Sequence, residues 1–153
     1  MTVRVRRVES EEDRKVALSL RWTVFVEEQG VPPSLEHDHH DDPKHAEAAV
    51  HVLAEVQGLK GAWTPAGAGR FIWTSPGLAK IQRMAVIDDA RGQGVGLALL
   101  RALEAIAKEQ GAKRFTLGAQ LTARGFYEKA GYAPVGDVFM DAGIEHVKME
   151  RDA

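Results

Sequence analysis

The chain of 153 residues contains no cysteine, which excludes disulfide bonds, thiolate metal sites and any mechanism that passes through an acyl-cysteine. It contains no run of about 18 apolar residues, and its opening segment, Met1-Thr-Val-Arg-Val-Arg-Arg-Val8, alternates valine with charge and offers no apolar signal segment. The expectation is a soluble cytoplasmic protein that does not enter a membrane. Neither sign of charge is in surplus: 20 Lys and Arg stand against 22 Asp and Glu, for a formal net charge of -2. A general nucleic-acid binder would show a clear basic excess, so nucleic acid is not an expected partner. Linkers, internal repeats and low-complexity tracts are also missing. That leaves residues 1–153 as one domain, in which 44% hydrophobic residues are enough for a core.

What is present is concentrated in Met84-Ala-Val-Ile-Asp-Asp-Ala-Arg-Gly-Gln-Gly-Val-Gly-Leu-Ala-Leu-Leu100, where a hydrophobic strand runs through a glycine-rich turn directly into a helix. The first turn of a helix has backbone N–H groups without intrahelical partners, and the peptide dipoles add partial positive charge there. Gly92, Gly94 and Gly96 let phosphate oxygens approach that backbone, and Arg91 adds a permanent positive charge beside it. No Lys-Ser or Lys-Thr follows the glycines, which removes the nucleotide P-loop. Leu97 stands where the dinucleotide fingerprint wants its third glycine, which removes that motif too. Arg91-x-x-Gly94-x-Gly96 remains, and by spacing alone a plain flexible strand-to-helix turn fits as well as a phosphate site.

Hydrophobic spacing gives the element order. Val3, Val5 and Val8 predict a first strand, and Ser10 with Glu11, Glu12 and Asp13 predicts the capped start of a helix running to about Glu28 along Val16, Leu20 and Val24. Gly30, Pro32 and Pro33 end it, and residues 34–43 read as a solvated acidic loop. Strands are predicted over Ala46–Val56, Arg70–Thr74 and Ala79–Ile87. The helix after the glycines carries one apolar stripe, Leu99, Leu100, Leu103, Ile106 and Ala107, and stops at Gly111. A strand at Arg114–Leu117, a short helix at Leu121–Lys129 and closing strands at Tyr132–Met140 and Ile144–Met149 complete the chain. The implied class is α/β (α+β), one mixed sheet with helices on both faces.

The glycine turn resembles the coenzyme A pyrophosphate loop of the GNAT acyltransferases. Gly67-Ala-Gly-Arg70, Arg83-Met-Ala-Val86, Ala123 and Phe126-Tyr-Glu-Lys-Ala-Gly-Tyr132 fall in the order and spacing of that family. Arg21-x-x-Val24-Phe-Val-x-Glu28-Gln-x-Val31-Pro, Glu36-x-Asp38, His51, Ala119-Gln120 and Asp141-Ala-Gly-Ile-x-His146 look like its small bacterial ElaA-like branch. The resemblance implies a GNAT fold with a mostly antiparallel twisted sheet of about seven strands, and acetyl-CoA lying between two central parallel strands. It assigns coenzyme binding to Met84, Ala85, Val86, Arg91, Gly92, Gln93, Gly94, Val95, Gly96, Gln120 and Tyr127. A homodimer is the assembly it suggests.

Moving an acetyl group from a thioester to an amine needs a neutral nucleophile, a donor for the developing oxyanion and a proton for the leaving thiolate. In the family, an amide N–H of the strand Met84-Ala85-Val86 would face the thioester oxygen, and Tyr127 takes the place of the tyrosine that hydrogen-bonds the coenzyme sulfur. Tyr127 is thus the candidate general acid, although a tyrosine near pKa ~10 falls about 2 kcal/mol short of full transfer to a thiolate near ~8.5. Family members often carry Glu or His on the strand before the loop, where this chain has Lys80, Gln82 and Arg83. Glu28, Glu36, Asp38, His51 and His146 are the eligible bases, Glu28 and His146 foremost, with a water chain as an equal competitor and His51, inside a hydrophobic strand pattern, reading more readily as a core histidine.

The acceptor is expected to be a small-molecule amine or an exposed amino group, approached by Phe25, Glu36 and Asp38, whose carboxylates would attract a cationic amine. The run Glu36-His-Asp-His-His-Asp-Asp42 offers metal-ligand types, but adjacent loop residues converge poorly on one centre, and no metal is expected. A non-catalytic acyl-CoA-binding or regulatory module is the alternative to an acetyltransferase, because Gln82 cannot serve as a base. A metal-dependent hydrolase built on the His/Asp loop is a weaker one.

Overall fold

The computed structural model describes residues 2–153; Met1, which opens the alternating first segment, lies outside them. Strand β1 (Val3–Arg7) leads into helix α1 (Glu11–Arg21), whose cap is Ser10: its hydroxyl accepts the Asp13 N–H at 3.1 Å. The cap satisfies one orphan donor of the first turn, and Glu11, Glu12 and Asp13 complement the helix dipole there. The predicted single helix to Glu28 changes character on the way. α1 stops at Arg21, and Trp22–Glu28 winds as a π-helix, with Gln29 N–H donating to the Val24 carbonyl five residues back at 3.1 Å. The buried line is Ala17, Arg21 and Val24, at ordinary helical spacing one position on from Val16 and Leu20, which are only partly buried.

After Gly30, the segment expected to be loop forms a short helix α2 (Pro33–Glu36) and a single 3-10 turn at His39–Asp41. β2 (Val50–Gln57) starts later than its apolar spacing predicts, because His45 and Ala48 close successive turns onto Asp42 and His45. β3 (Trp63–Ser75) absorbs the glycine- and proline-rich stretch that sequence leaves ambiguous, and β4 (Leu78–Val86) follows. Then come α3 (Val95–Glu109), β5 (Arg114–Gln120), α4 (Arg124–Lys129), β6 (Ala133–Asp141) and β7 (Ile144–Asp152).

The strands form one seven-stranded sheet in the order β1-β2-β3-β4-β5-β7-β6. Every neighbouring pair is antiparallel except β4 and β5. α3 covers one face and α1 the other. Leu99, Leu100, Leu103 and Ala107 of α3 are fully buried, each leucine contributing about 1.5–3 kcal/mol by leaving water. The helix lies so close to the sheet that a Cβ added at Gly67 would sit 3.0 Å from a Leu99 methyl and 3.3 Å from a Val95 methyl.

One irregularity positions everything that follows. β4 and β5 pair only through Leu78–Arg114, Ala79–Phe115 and Lys80–Thr116, and then diverge. On the other side of β4, Gln82 pairs with Arg70 and Ala85 with Ala68, so Arg83 and Met84 together oppose Gly69. Arg83 takes the left-handed φ of 58° that this bulge demands, an uncommon conformation for a residue with a Cβ. The bend carries β4 away from β5 and opens the sheet at its centre.

Candidate active site

The opening between β4 and β5 is the mouth of a cavity of about 470 Å³. Met84, Ala123 and Tyr127 line it on the side of α3 and α4, and Phe25, Lys80, Gln82 and His146 on the side of α1. It extends to Val86 and Arg91, where the glycine turn begins. Gly94 caps α3 with φ 82° and no side-chain hydrogen bond, so the N–H groups of the first turn stay available. Gly92 and Gly94 have nothing within 4 Å of where a Cβ would stand, an open backbone cradle of the kind a pyrophosphate requires. The residues present therefore fit a coenzyme A diphosphate at the turn and its pantetheine arm along β4.

Tyr127 is buried on α4 and lines the cavity, and its hydroxyl has no hydrogen-bond partner among the described residues. Burial pushes its pKa up to about 12. The gap to a thiolate near ~8.5 then widens to ~5 kcal/mol, so this hydroxyl is suited to donate a hydrogen bond to a leaving sulfur rather than to surrender its proton. α4 is anchored by its neighbour Tyr132, whose hydroxyl donates to the buried carboxylate of Glu104 on α3 at 2.6 Å. His146 on β7 is also buried and lines the cavity, its ring stacked on Phe139 at 5.7 Å. Its Nδ1–H donates to the Ile144 carbonyl at 2.7 Å, an arrangement that leaves the Nε2 lone pair as acceptor.

The remaining candidates divide. Met84, Val86, Arg91, Gln120 and Phe25 line the cavity, whereas Gly92, Gln93, Gly94, Val95 and Gly96 form the turn beyond Arg91, and Ala85 is turned into the core. The Gln120 amide donates to the Gln29 side chain at 2.8 Å and ties β5 to the end of the π-helix. Glu28 does not line the cavity: its carboxylate grips Arg91 in a two-pronged ion pair, one contact at 2.7 Å, which holds it below the usual carboxylate range. His51 is away from the cavity altogether, beneath the loop that precedes β2.

The loop expected to be solvated and acidic is instead tied to the sheet and α1 by buried ion pairs. Arg21 donates to Glu36 at 2.6 Å and to Asp41 at 2.6 and 3.0 Å, and Arg70 donates to Asp38 at 2.6 and 2.7 Å and to Asp41 at 2.8 Å. Arg21, Arg70 and Asp41 are at most 1% exposed. Burial alone would raise the Asp41 carboxyl, but the hydrogen bonds and charge of Arg21 outweigh it and hold the group well below the usual carboxylate range. Glu36 and Asp38 are therefore neutralised by arginines, and neither is free to draw in a cationic acceptor. Gln82 gives its amide oxygen to Arg70 at 2.6 and 2.9 Å, which leaves it with a structural task. The sequence carried a signal for this network: Arg21 falls at helical spacing between the buried Ala17 and Val24, on the side meant for apolar residues.

Of the possible ligand types in the loop, His39 and His45 come together with Glu47, their candidate ligand atoms within 4.8 Å of one another. All three are exposed and none lines the cavity. Among the described residues, no helix is long and apolar enough to cross a membrane.

Comparison with known proteins agrees with this geometry. A family model described as an acetyltransferase (GNAT) domain matches residues 35–153. YjcF of Bacillus subtilis, an uncharacterized N-acetyltransferase, is 38% identical over 94% of this chain and 95% of its own length. Among solved structures, ElaA of Escherichia coli superposes with a TM-score of 0.78 at 26% identity, covering 98% of this chain and 99% of that one. An acyl-CoA N-acyltransferase of Pseudomonas aeruginosa gives 0.76 at 26% identity, covering 98% of each chain. The opened parallel pair, the glycine turn at the head of α3 and these relatives lead to one assignment: the chain belongs to the GNAT acetyltransferases, with ElaA among its structural relatives, and its family uses an acyl-CoA donor.

Proposed function

We propose that the protein transfers an acetyl group from acetyl-CoA directly to the nitrogen of a small-molecule amine. The observation that carries this reading is that one cavity joins Arg91, at the head of the phosphate-binding turn, to Tyr127 and His146. In this scheme the first-turn N–H groups of α3 and the Arg91 guanidinium hold the diphosphate, and the β4 backbone over Met84–Val86 lines up the pantetheine arm. The bound coenzyme supplies a thioester as the activated acyl group. His146 accepts a proton from the acceptor ammonium at Nε2, giving a neutral amine that attacks the thioester carbonyl carbon. The new N–C bond forms as the C–S bond breaks, the second proton of the attacking nitrogen passes to the departing sulfur, which leaves as the thiol, and the Tyr127 hydroxyl donates a hydrogen bond to that sulfur.

Glu28 enters this reading through Arg91 rather than as a base. A diphosphate at the turn competes with the Glu28 carboxylate for the same guanidinium, and both partners are more than one-third exposed, so the pair exchanges at little cost. The test is coenzyme release from acetyl-CoA in a panel of amines, with Tyr127→Phe and Gly94→Asp alongside the wild type. Tyr127→Phe is expected to lower kcat about 10²-fold while keeping coenzyme affinity, and Gly94→Asp to abolish coenzyme binding in calorimetry, because a carboxylate would face the diphosphate. Full turnover by Tyr127→Phe, or unchanged affinity in Gly94→Asp, would overturn the assignment.

A further inference from the structure

The charged and titratable side chains along the cavity, Tyr127 aside, are Glu36, Lys80, Arg83, Arg91, Asp141 and His146. Most are committed. Glu36 is bonded to Arg21 at 2.6 Å, and Arg91 to Glu28. Arg83 donates to the carbonyls of Glu36 at 3.1 Å and Leu35 at 3.2 Å, and approaches Asp38 at 3.4 Å. His146 is fixed through Ile144. Lys80 and Asp141 are different: among the described residues neither has an opposite charge within ion-pair distance.

Their positions give this meaning. Lys80 occupies the last paired position of β4 before the sheet opens, on the α1 face with Gln82. Lys80 is partly buried where it lines the cavity, and a partly buried cation lacking a counter-ion is stabilised by any anion that reaches it. Asp141 lies exposed at the rim of the cavity, at the end of β6 where it pairs with Ile144, next to the residue that orients His146. One uncompensated cation and one uncompensated carboxylate thus face a single cavity, while the carboxylates of the α2 loop are cancelled by arginines.

We infer that the acceptor is a small amine that also carries an anionic group, of the amino-acid type, with its anion on Lys80 and its ammonium drawn toward Asp141 and His146. This rests on the transferase reading above and adds the charge of the acceptor to it. The cavity's volume, about 470 Å³, has to hold the acyl end of the donor as well, which suits an acceptor of a few heavy atoms.

The experiment measures kcat/KM for β-alanine, β-alanine amide, propylamine and 2-aminoethyl phosphate with the wild type, Lys80→Gln and Lys80→Arg. The wild type is expected to favour the carboxylated or phosphorylated amine over the amide by about 10-fold or more, mainly through KM, the two anionic probes separating carboxylate from phosphate. Lys80→Gln should reduce that preference about 10-fold, and Lys80→Arg should retain most of it. A purely structural role for Lys80 would lower all four amines together. The inference is overturned if the uncharged amines are turned over as well as the anionic ones, or if Lys80→Gln leaves the preference intact; the transferase reading survives both results. Coenzyme binding without turnover of any amine overturns the two together.

Discussion

His51 allows the buried network to be tested through proton binding. Its ring is 11% exposed, and Nε2 is buried with no hydrogen-bond partner, 3.7 Å from Asp41 Oδ1. Asp41 cannot take a further proton donor readily, since its oxygens already accept from both Arg21 and Arg70 and from the Asp38 N–H at 3.1 Å. Burial, with the nearby guanidinium charges of Arg21 and Arg70 adding to it, outweighs the pull of Asp41 and lowers the His51 pKa from 6.5 to about 4. The unfolded chain therefore binds this proton at a higher pH than the folded chain does. Stability is unaffected by His51 above about pH 6.5 and is lost as pH falls toward 4; the linkage integral gives a loss of about 2 kcal/mol at pH 5. For a chain of this length that corresponds to roughly 4–8 °C in Tm. The assay is urea unfolding of wild type and His51→Gln at pH 7.5, 6 and 5. Groups common to both proteins cancel in the difference, so the variant should lose about 2 kcal/mol less than the wild type over this range. Parallel pH profiles for the two proteins would refute a buried, neutral His51.

Asp41→Asn leaves Arg21 and Arg70 facing each other without the carboxylate that bridges them, and should destabilise the fold by about 3–5 kcal/mol in urea unfolding; a loss under about 1 kcal/mol would show that the network is not what holds the α2 loop. Ala142 opens the β6–β7 turn at φ 51°, a left-handed conformation that costs a residue with a Cβ about 1 kcal/mol or more, so Ala142→Gly should raise Tm by a few degrees. A fall in Tm would mean that the alanine methyl contributes more at the cavity wall than its backbone strain costs.

Features that depend on neighbours along the chain were legible before folding is considered. The stripe Leu99, Leu100, Leu103 and Ala107 has a period that only a helix buried on one face satisfies, and it became α3. The glycines before it specify a turn because few other residues tolerate positive φ there, and the alternation of apolar residues fixed most strands to within a few positions. The order of elements, and with it the mixed sheet, followed. Tertiary structure decided what depends on partners far apart in the chain. Arg21 meets Glu36 and Asp41 only because α1 packs over β3 and β4, and Arg70 on β3 meets Asp41 and Asp38. Local pattern gives such carboxylates to solvent, since an isolated acidic run costs nothing there; buried arginines change the balance, because a buried charge is tolerated only when paired. The same holds for the site. Its residue types could be named in advance, but the bulge at Arg83, the splay of β5 from β4 and the Arg91–Glu28 pair decide which of them face one cavity, since each depends on contacts between strands and loops that no local period encodes.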